Sequence, residues 1–484
     1  MSTNDLTCLG AEIDRLNAVH AIGRVAAVAG ATLEIAGLSG VARLGDRLRV
    51  VRRDGSELWG EVLQLAQSHV VMLPDDAPIG VSLGDRTSLR DAGAIAPSNS
   101  WIGRVIDPFG QPIDGRPLLP GTQERALRAD PPPPAQRQAL GARLETGMAV
   151  FNTFLPIVRG QRIGLFAGSG VGKSSLLGHL GRNMQADVVV FAMIGERGRE
   201  LRDFIENVLG PEGMARSVIV AATSDRSPLV RRRCAWTAMA VAEHFRDQGL
   251  EVLLLADSIT RFAEAHREVA TAAGEMPSLR GYPASTAHMI MSLCERAGPG
   301  VEGQGSITGL FSVLVAGSDM DEPVADILRG VLDGHVVMDR SIAERGRYPA
   351  IDLLRSVSRS LPRAASDEEN DLLRRARKLM GAYDRSETMI RAGLYASGSD
   401  PELDIAVRAW PELDRYLGED EQGSTKNSFD RLALILRRAE STQAGGRTAS
   451  PQAPRKANEA PGAVPARTGA FRTVGGRVPA IPAR

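Results

Sequence analysis

The sequence predicts a multidomain chain: a small N-terminal β-barrel, a central α/β domain on a mostly parallel sheet, and a C-terminal α-helical domain. Three observations predict it. Hydrophobic alternation has period two from Ala21 to about Arg90, and short apolar runs alternate with helical patterns from about 140 to 365. After Asp367 the pattern is helical alone. At 484 residues the chain is also too long for one core.

Residues 1–18 are expected to hold an amphipathic helix, because Leu6, Leu9, Ile13 and Leu16 fall on one helical stripe. Residues 19–95 read as the barrel. Thr32 to Ile35 alternates, and Asp54-Gly55 separates Leu48–Val50 from Leu58–Val62 as a hairpin would. Residues 96–139 read as a connector. Within it Pro131 to Pro134 should be stiff and extended, since four prolines suit neither a helix nor a central strand. Residues 140–365 form the α/β domain, with strands expected at Arg162–Phe166, Val188–Met193, Val218–Ala222, Val252–Ala256 and Ser306–Ala316. Residues 366–440 form the helical domain. Residues 441–484 are rich in Pro, Gly, Ala and Arg, carry few large apolar residues, and are expected to be disordered.

Lys+Arg and Asp+Glu both number 58, so net charge gives no case for a nucleic-acid partner. The balance hides an asymmetry: the last segment carries seven basic residues against the single acid Glu459. Three scattered cysteines, Cys8, Cys234 and Cys294, form no disulfide framework and suit a reducing compartment. Asp5 and Glu12 interrupt the opening residues, so no secretory leader is expected. No apolar run approaches the roughly 20 residues that span a bilayer. A soluble, cytoplasmic protein is expected.

The decisive segment is Arg162 to Leu177. An apolar strand ends at Phe166, a glycine-rich loop follows, and Lys173-Ser174 opens a helix. Ala167, Gly168, Ser169, Gly170, Val171, Gly172, Lys173, Ser174 and Ser175 make up this phosphate loop. Its glycines let backbone N–H groups close around phosphate oxygens. Lys173 would reach the β and γ phosphates, and Ser174 would offer its hydroxyl to Mg²⁺. Ala167 stands where the pattern GxxxxGK[ST] has its first glycine. Further on, Glu251 to Asp257 is an apolar run that delivers a carboxylate at a strand end. Asp257 would either hold the Mg²⁺ shell or simply cap the next helix. Between them, Val188 to Ile194 leads into Gly195-Glu196-Arg197-Gly198-Arg199-Glu200. On spacing alone Glu196 is either the carboxylate that polarises an attacking water or part of a solvated charge run.

Ala167–Leu177, Gly195–Glu200, Asp257–Arg261, Arg280–Pro283 and Tyr348–Arg359 together resemble the ATPases of type III protein-export systems, most closely the flagellar branch. The catalytic core of that family is similar to the β subunit of rotary ATP synthases. The likeness runs from about Ala21 to Leu417 and includes Gly103 to Asp114. It implies a P-loop (RecA-like) ATPase domain that hydrolyses ATP with Mg²⁺. Glu196 matches the family's catalytic carboxylate, and Arg197 its adjacent arginine. Glu200 matches a second acid that acts on Mg²⁺ through water. Tyr348 matches the ring that stacks on adenine, the plainer alternative being a packed turn residue before Pro349. Arg359 matches an arginine finger that reaches the neighbouring subunit's γ-phosphate, the plainer alternative being a surface arginine. Arg261 matches a position around those residues. A second aromatic for the adenine pocket is not identifiable. Ala284 departs from a position that is often proline in the family.

The resemblance further implies a homohexamer with the barrels as a collar, located in the cytoplasm and peripherally at the inner-membrane export apparatus. Implied partners are a regulatory stalk protein, export chaperones, unfolded cargo and a membrane export gate. The N-terminal stripe lies where the family meets the stalk protein, unless it packs on its own barrel. Alternatives of related fold are an injectisome export ATPase, a rotary-synthase β subunit, a non-catalytic ring subunit and an RNA-translocating hexamer. The last needs stacking aromatics near the N-terminus, yet Tyr and Phe are absent from residues 1 to 107. A non-catalytic subunit would lack Glu196. A rotary β subunit would carry Thr where Gly198 stands.

Overall fold

The period-two segment closes on itself. The computed structural model describes residues 3–16, 19–90, 93–315, 320–421 and 423–441, so the expected disordered tail lies, beyond Ser441, outside the described residues. Six strands make the barrel: β1 (Ile22–Ala29), β2 (Thr32–Ala36), β3 (Arg47–Val51), β4 (Glu57–Leu65), β5 (His69–Pro74) and β6 (Arg86–Arg90). They close in the order β1-β2-β5-β4-β3-β6, every pair antiparallel. Alternate residues fill the interior, among them Leu33, Ile35, Leu48, Val50, Val70 and Met72, which are fully buried. Val50 pairs with Leu58 across the expected hairpin, whose turn uses Gly55 at φ +83.

The N-terminal helix spans Thr3–Asp14. Its stripe does not pack on the barrel: Leu6, Leu9, Ile13 and Leu16 are 58%, 38%, 58% and 74% exposed. Arg15 fastens the segment to the connector by donating to the Gly121 carbonyl at 3.0 Å and pairing with Glu124 at 3.0 Å.

The connector is not only a connector. Arg104–Ile106 forms β7, which joins the central sheet beside the strand Ser217–Thr223 with Val105 opposite Ile219. Three residues are too few for periodicity to reveal a strand. Pro134, expected in an extended run, opens a 3-10 turn at Pro134–Gln136. Proline is tolerated there because the first N–H of a helix has no partner to lose.

The central strands are β8 (Arg162–Ala167), β9 (Val188–Glu196), β10 (Ser217–Thr223), β11 (Val252–Asp257), β12 (Gly298–Pro299), β13 (Ser306–Leu314), β14 (Gly334–Met338) and β15 (Ile351–Ser358). With β7 they form a nine-stranded sheet ordered β15-β14-β8-β13-β11-β9-β10-β7, with β12 on the flank of β13. From β14 to β7 the pairs are parallel, and their near-continuous apolar runs are buried under helices on both faces. β14 and β15 run antiparallel at one edge. β15 escapes the sequence reading because it is half exposed and lacks an unbroken apolar run, and β14 because its buried apolar stretch Val336–Met338 is only three residues long. The parallel order sets the C-terminal ends of β8, β9 and β11 along one edge, where such sheets bind ligands.

Helices Asp367–Arg391, Pro401–Tyr416 and Thr425–Ser441 follow. The first starts at a capping box formed by Ser366 and Glu369. A buried polar contact ties this domain to the short helix Ala149–Asn152 that precedes β8: Asn152 donates to the Ser428 hydroxyl at 3.2 Å, and the Ser428 carbonyl accepts from the Tyr416 hydroxyl at 2.8 Å. Among the described residues no helix is long and apolar enough to cross a membrane.

The barrel meets the sheet through arginines of the helix Pro228–Arg246. Arg232 pairs with Glu61 of β4 at 3.0 Å, and its guanidinium lies 5.1 Å from the Trp236 ring centre. Burial pushes Arg232 down to about 10. Arg128, half exposed, also approaches Glu61, at 3.5 Å, and stacks on Trp236 at 4.4 Å. Removing one partner of a buried pair strands the other charge, at a cost of about 3–5 kcal/mol, whereas an exposed pair is worth about 1 kcal/mol or less. Glu61→Ala should therefore lower the thermal unfolding midpoint by several degrees, and Arg128→Ala should lower it far less. Equal shifts in a calorimetric scan would show that Arg232 does not depend on Glu61.

Candidate active site

The phosphate loop turns from β8 into the helix Lys173–Asn183 through two left-handed glycines, Gly170 at φ +78 and Gly172 at φ +85. A side chain would strain either position. Ala167 instead ends β8 fully buried and without a positive φ, so its methyl group fits where the common pattern has glycine. The loop forms one wall of a cleft of about 1060 Å³, into which Ser169, Lys173, Ser174 and Ser175 project from one side and Glu196, Arg197 and Glu200 from another. Val171 is buried behind the loop.

Lys173 Nζ makes a charge contact with Asp257 Oδ1 at the end of β11. Asp257 is 2% exposed and also accepts a hydrogen bond from the Ser312 hydroxyl at 2.8 Å. It is not the cap of the following helix. That role falls to Ser258, whose side chain accepts from the Arg261 N–H. Asp257 is thus a buried carboxylate held by two donors, behind the cleft wall and joined to it through Lys173.

Glu196 ends β9 and is part-buried in the cleft rather than standing in a solvated run. Burial pushes its carboxyl up to about 7; the charge of Asp257 and a hydrogen bond with Glu200 add to the rise, and Lys173 opposes it. Gly195 precedes it at φ +72, and a Cβ there would lie 3.4 Å from Arg261 and 3.6 Å from Arg231. The backbone just before Glu196 is therefore packed between two arginine stems. Arg197 is largely exposed and pairs with Glu200 at 3.2 Å, and Arg261 pairs with Glu264 at 2.9 Å.

Tyr348 and Arg359 lie at opposite ends of β15. Tyr348 precedes the strand, is 53% exposed, and its ring stands beside the loop: a Cβ on Gly172 would come within 3.1 Å of it. Arg359 follows the strand and donates to the Arg329 carbonyl at 3.2 Å. Its backbone N–H bonds Asp333, which in turn pairs with Arg162 at the start of β8. Arg359 is therefore at the edge of the sheet opposite the phosphate loop. The six residues of β8 separate the two edges by about 20 Å. It does not line its own cleft.

Sequence reasoning missed Arg231, Thr260, Arg280, Tyr282 and Glu322, which also line the cleft. Arg280 and Tyr282 belong to a quoted motif but received no role. Ser312 was missed as well, although a hydroxyl inside the apolar run Leu310–Leu314 was a visible signal. For a metal, Ser174, Asp257 and Glu200 supply only oxygen donors, the set that suits Mg²⁺ held chiefly by substrate phosphates.

Residues 147–358 match the model of the ATP synthase alpha/beta family, nucleotide-binding domain. Residues 365–433 match that of the T3SS EscN ATPase C-terminal domain. The flagellum-specific ATP synthase of Caulobacter vibrioides is 44% identical over 88% of this chain and 98% of its own length. That of Salmonella typhimurium is 42% identical over 88% and 96%. Among solved structures, the assembled ATPase EscN of the enteropathogenic E. coli type III secretion system superposes with a TM-score of 0.78. It is 35% identical and covers 86% of this chain and all of its own. EscN with its central stalk EscO gives 0.77 at the same identity. Two domains, each matched by its own model, and near-complete alignment to the flagellar relatives lead to one assignment: the chain belongs to the ATP synthase alpha/beta family, in its type III export branch with the flagellum-specific ATP synthases.

Proposed function

We propose that this ATPase hydrolyses Mg-ATP in a ring of identical subunits, expected to be a hexamer, and so drives export of unfolded subunits through a flagellar type III apparatus. The observation that carries the reading is the cleft that Lys173 and Glu196 share beside the phosphate loop, with Lys173 held from behind by the buried Asp257. The flagellar branch is favoured over the injectisome branch because the flagellum-specific relatives are 44% and 42% identical and EscN is 35%.

The roles follow from position. Backbone N–H groups from Gly168 to Ser174 cradle the phosphates, and the helix start adds partial positive charge. Lys173 moves from Asp257 to the β and γ oxygens. Ser174 and Asp257, with Glu200 through water, would hold Mg²⁺, which when bound neutralises charge on those oxygens. Glu196 orients a water for in-line attack on the γ phosphorus and accepts its proton, and its raised pKa suits it to that exchange near neutrality. Arg197 lies beside Glu200 at the mouth of the cleft. Tyr348 offers its free ring face to adenine. Arg359, at the far edge of its own sheet, completes a neighbour's cleft and stabilises charge on the transferring phosphoryl group.

The exposed N-terminal stripe fits a stalk or regulatory protein, in keeping with the EscO complex of the relative. Export chaperones, cargo and a membrane gate are the further partners, and no nucleic acid is. The site of action is the cytoplasm, peripheral to the inner membrane.

Two expectations test this. Lys173→Ala should weaken nucleotide binding, whereas Glu196→Gln should bind ATP normally and lose about 10²-fold or more in turnover. Near-parental turnover of purified Glu196→Gln would remove that residue from the chemistry. Arg359→Ala should cost about 10³-fold or more, and mixing it with Lys173→Ala should restore part of the activity. The first variant supplies intact pockets and the second intact fingers. A mixture as inactive as either parent, in rings verified to be mixed, would contradict action in trans.

A further inference from the structure

Lys173 and Asp257 do not sit on neighbouring strands. The order β8-β13-β11 places one strand between the end of β8, which carries the phosphate loop, and the end of β11, which carries Asp257. With strands about 4.8 Å apart, the lysine spans roughly 9.5 Å across β13 to reach the carboxylate. Ser312 lies on that intervening strand, one residue beyond the Ala256–Phe311 register pair and opposite Leu165 of β8. It is fully buried, and its hydroxyl donates to the same Oδ1 that Lys173 contacts. A second tie holds the turn after Asp257 to β13: the Leu314 N–H donates to the Thr260 hydroxyl at 2.9 Å.

When Lys173 turns to phosphate oxygens, Asp257 loses one of the two donors on Oδ1. A buried carboxylate with a vacated donor position is free to rotate about its own side chain, or to follow the lysine. We infer that Ser312 is a positioning residue for Asp257: its hydroxyl keeps Oδ1 anchored to β13 after Lys173 has left, so that the carboxylate would stay in place to serve a cation's water shell. Thr260 keeps the backbone of the same turn in place. Ser312 touches neither substrate nor metal and acts only through Asp257. The inference rests on the reading of Asp257 as the metal-shell residue, and the test separates the two.

The test is equilibrium binding of the N-methylanthraniloyl derivative of the non-hydrolysable β,γ-imido analogue of ATP by the full chain, once in excess EDTA and once in Mg²⁺, together with thermal melting. Ser312→Ala removes the donor, Ser312→Cys fills the space with a poor donor, and Ser312→Thr restores a hydroxyl. A hydrogen bond to a charged group is strong enough that its loss should reduce the Mg²⁺-dependent tightening by about tenfold or more. Ser312→Ala and Ser312→Cys should both show that loss and bind as the parent does in EDTA, and Ser312→Thr should recover most of it. Asp257→Asn is the control. If it abolishes the tightening and both Ser312→Ala and Ser312→Cys leave it intact, the inference about Ser312 fails and the role of Asp257 stands. If Asp257→Asn leaves the tightening intact, the reading of Asp257 fails and this inference with it. Lowered melting with equal weakening in EDTA and Mg²⁺ would make Ser312 a packing residue and overturn the proposal. If Ser312→Ala does not fold, Ser312→Cys and Ser312→Thr decide between these outcomes.

Discussion

The charge contact between Lys173 and Asp257 is the constraint around which the cleft is organised. A buried carboxylate is tolerable only with donors, and an ammonium beside it only with an acceptor. Each satisfies the other. The pair also fixes what surrounds it. Glu196 is pushed toward neutrality chiefly by burial and further by the charge of Asp257, against the opposing charge of Lys173, while arginines from the loop after β9 and from two helices line the walls. On the proposed reading, a nucleoside triphosphate would take Lys173 from Asp257, and its cation would take up the carboxylate in turn.

β15 translates this local chemistry into a requirement for neighbours. Because it runs antiparallel to the rest of the edge, it begins beside its own phosphate loop with Tyr348 and ends on the opposite edge with Arg359. On the proposed reading one strand would therefore serve two sites on two subunits. The helix Pro228–Arg246 extends the same economy inward. Of its three consecutive arginines, Arg231 lines the cleft and Arg232 pairs with Glu61 of the barrel. Arg233 donates to the Pro108 carbonyl of the connector at 3.0 Å. Barrel, connector and cleft are in contact through a single helical turn.

The barrel and the main parallel strands were legible because burial imposes period two on the one and unbroken apolar runs on the other. The phosphate loop was legible because its glycines and Lys173 have few other uses in that order. Elements that depend on partners distant in sequence were not. β7 is three residues long and exists only because β10 pairs with it. β15 is half exposed, with Leu354 and Val357 on its open face and Ser356 and Ser358 buried, so its hydrophobic pattern does not follow its burial. Asp257 could be read as a cap or as a metal residue until Ser258 was seen to hold the cap. Arg280 and Tyr282 reach the cleft through a loop whose course no local pattern specifies. The stripe of Leu6, Leu9, Ile13 and Leu16 was legible as a helix face, but its exposure was not.

The central claim is that each subunit carries an incomplete site and that hydrolysis needs association. It is tested most directly by measuring specific ATPase activity against protein concentration, with sedimentation velocity on the same samples. Specific activity should rise with concentration and track the ring fraction, because a monomer has its Arg359 about 20 Å from its own phosphate loop. A specific activity that is constant down to concentrations where only monomer sediments would contradict the account.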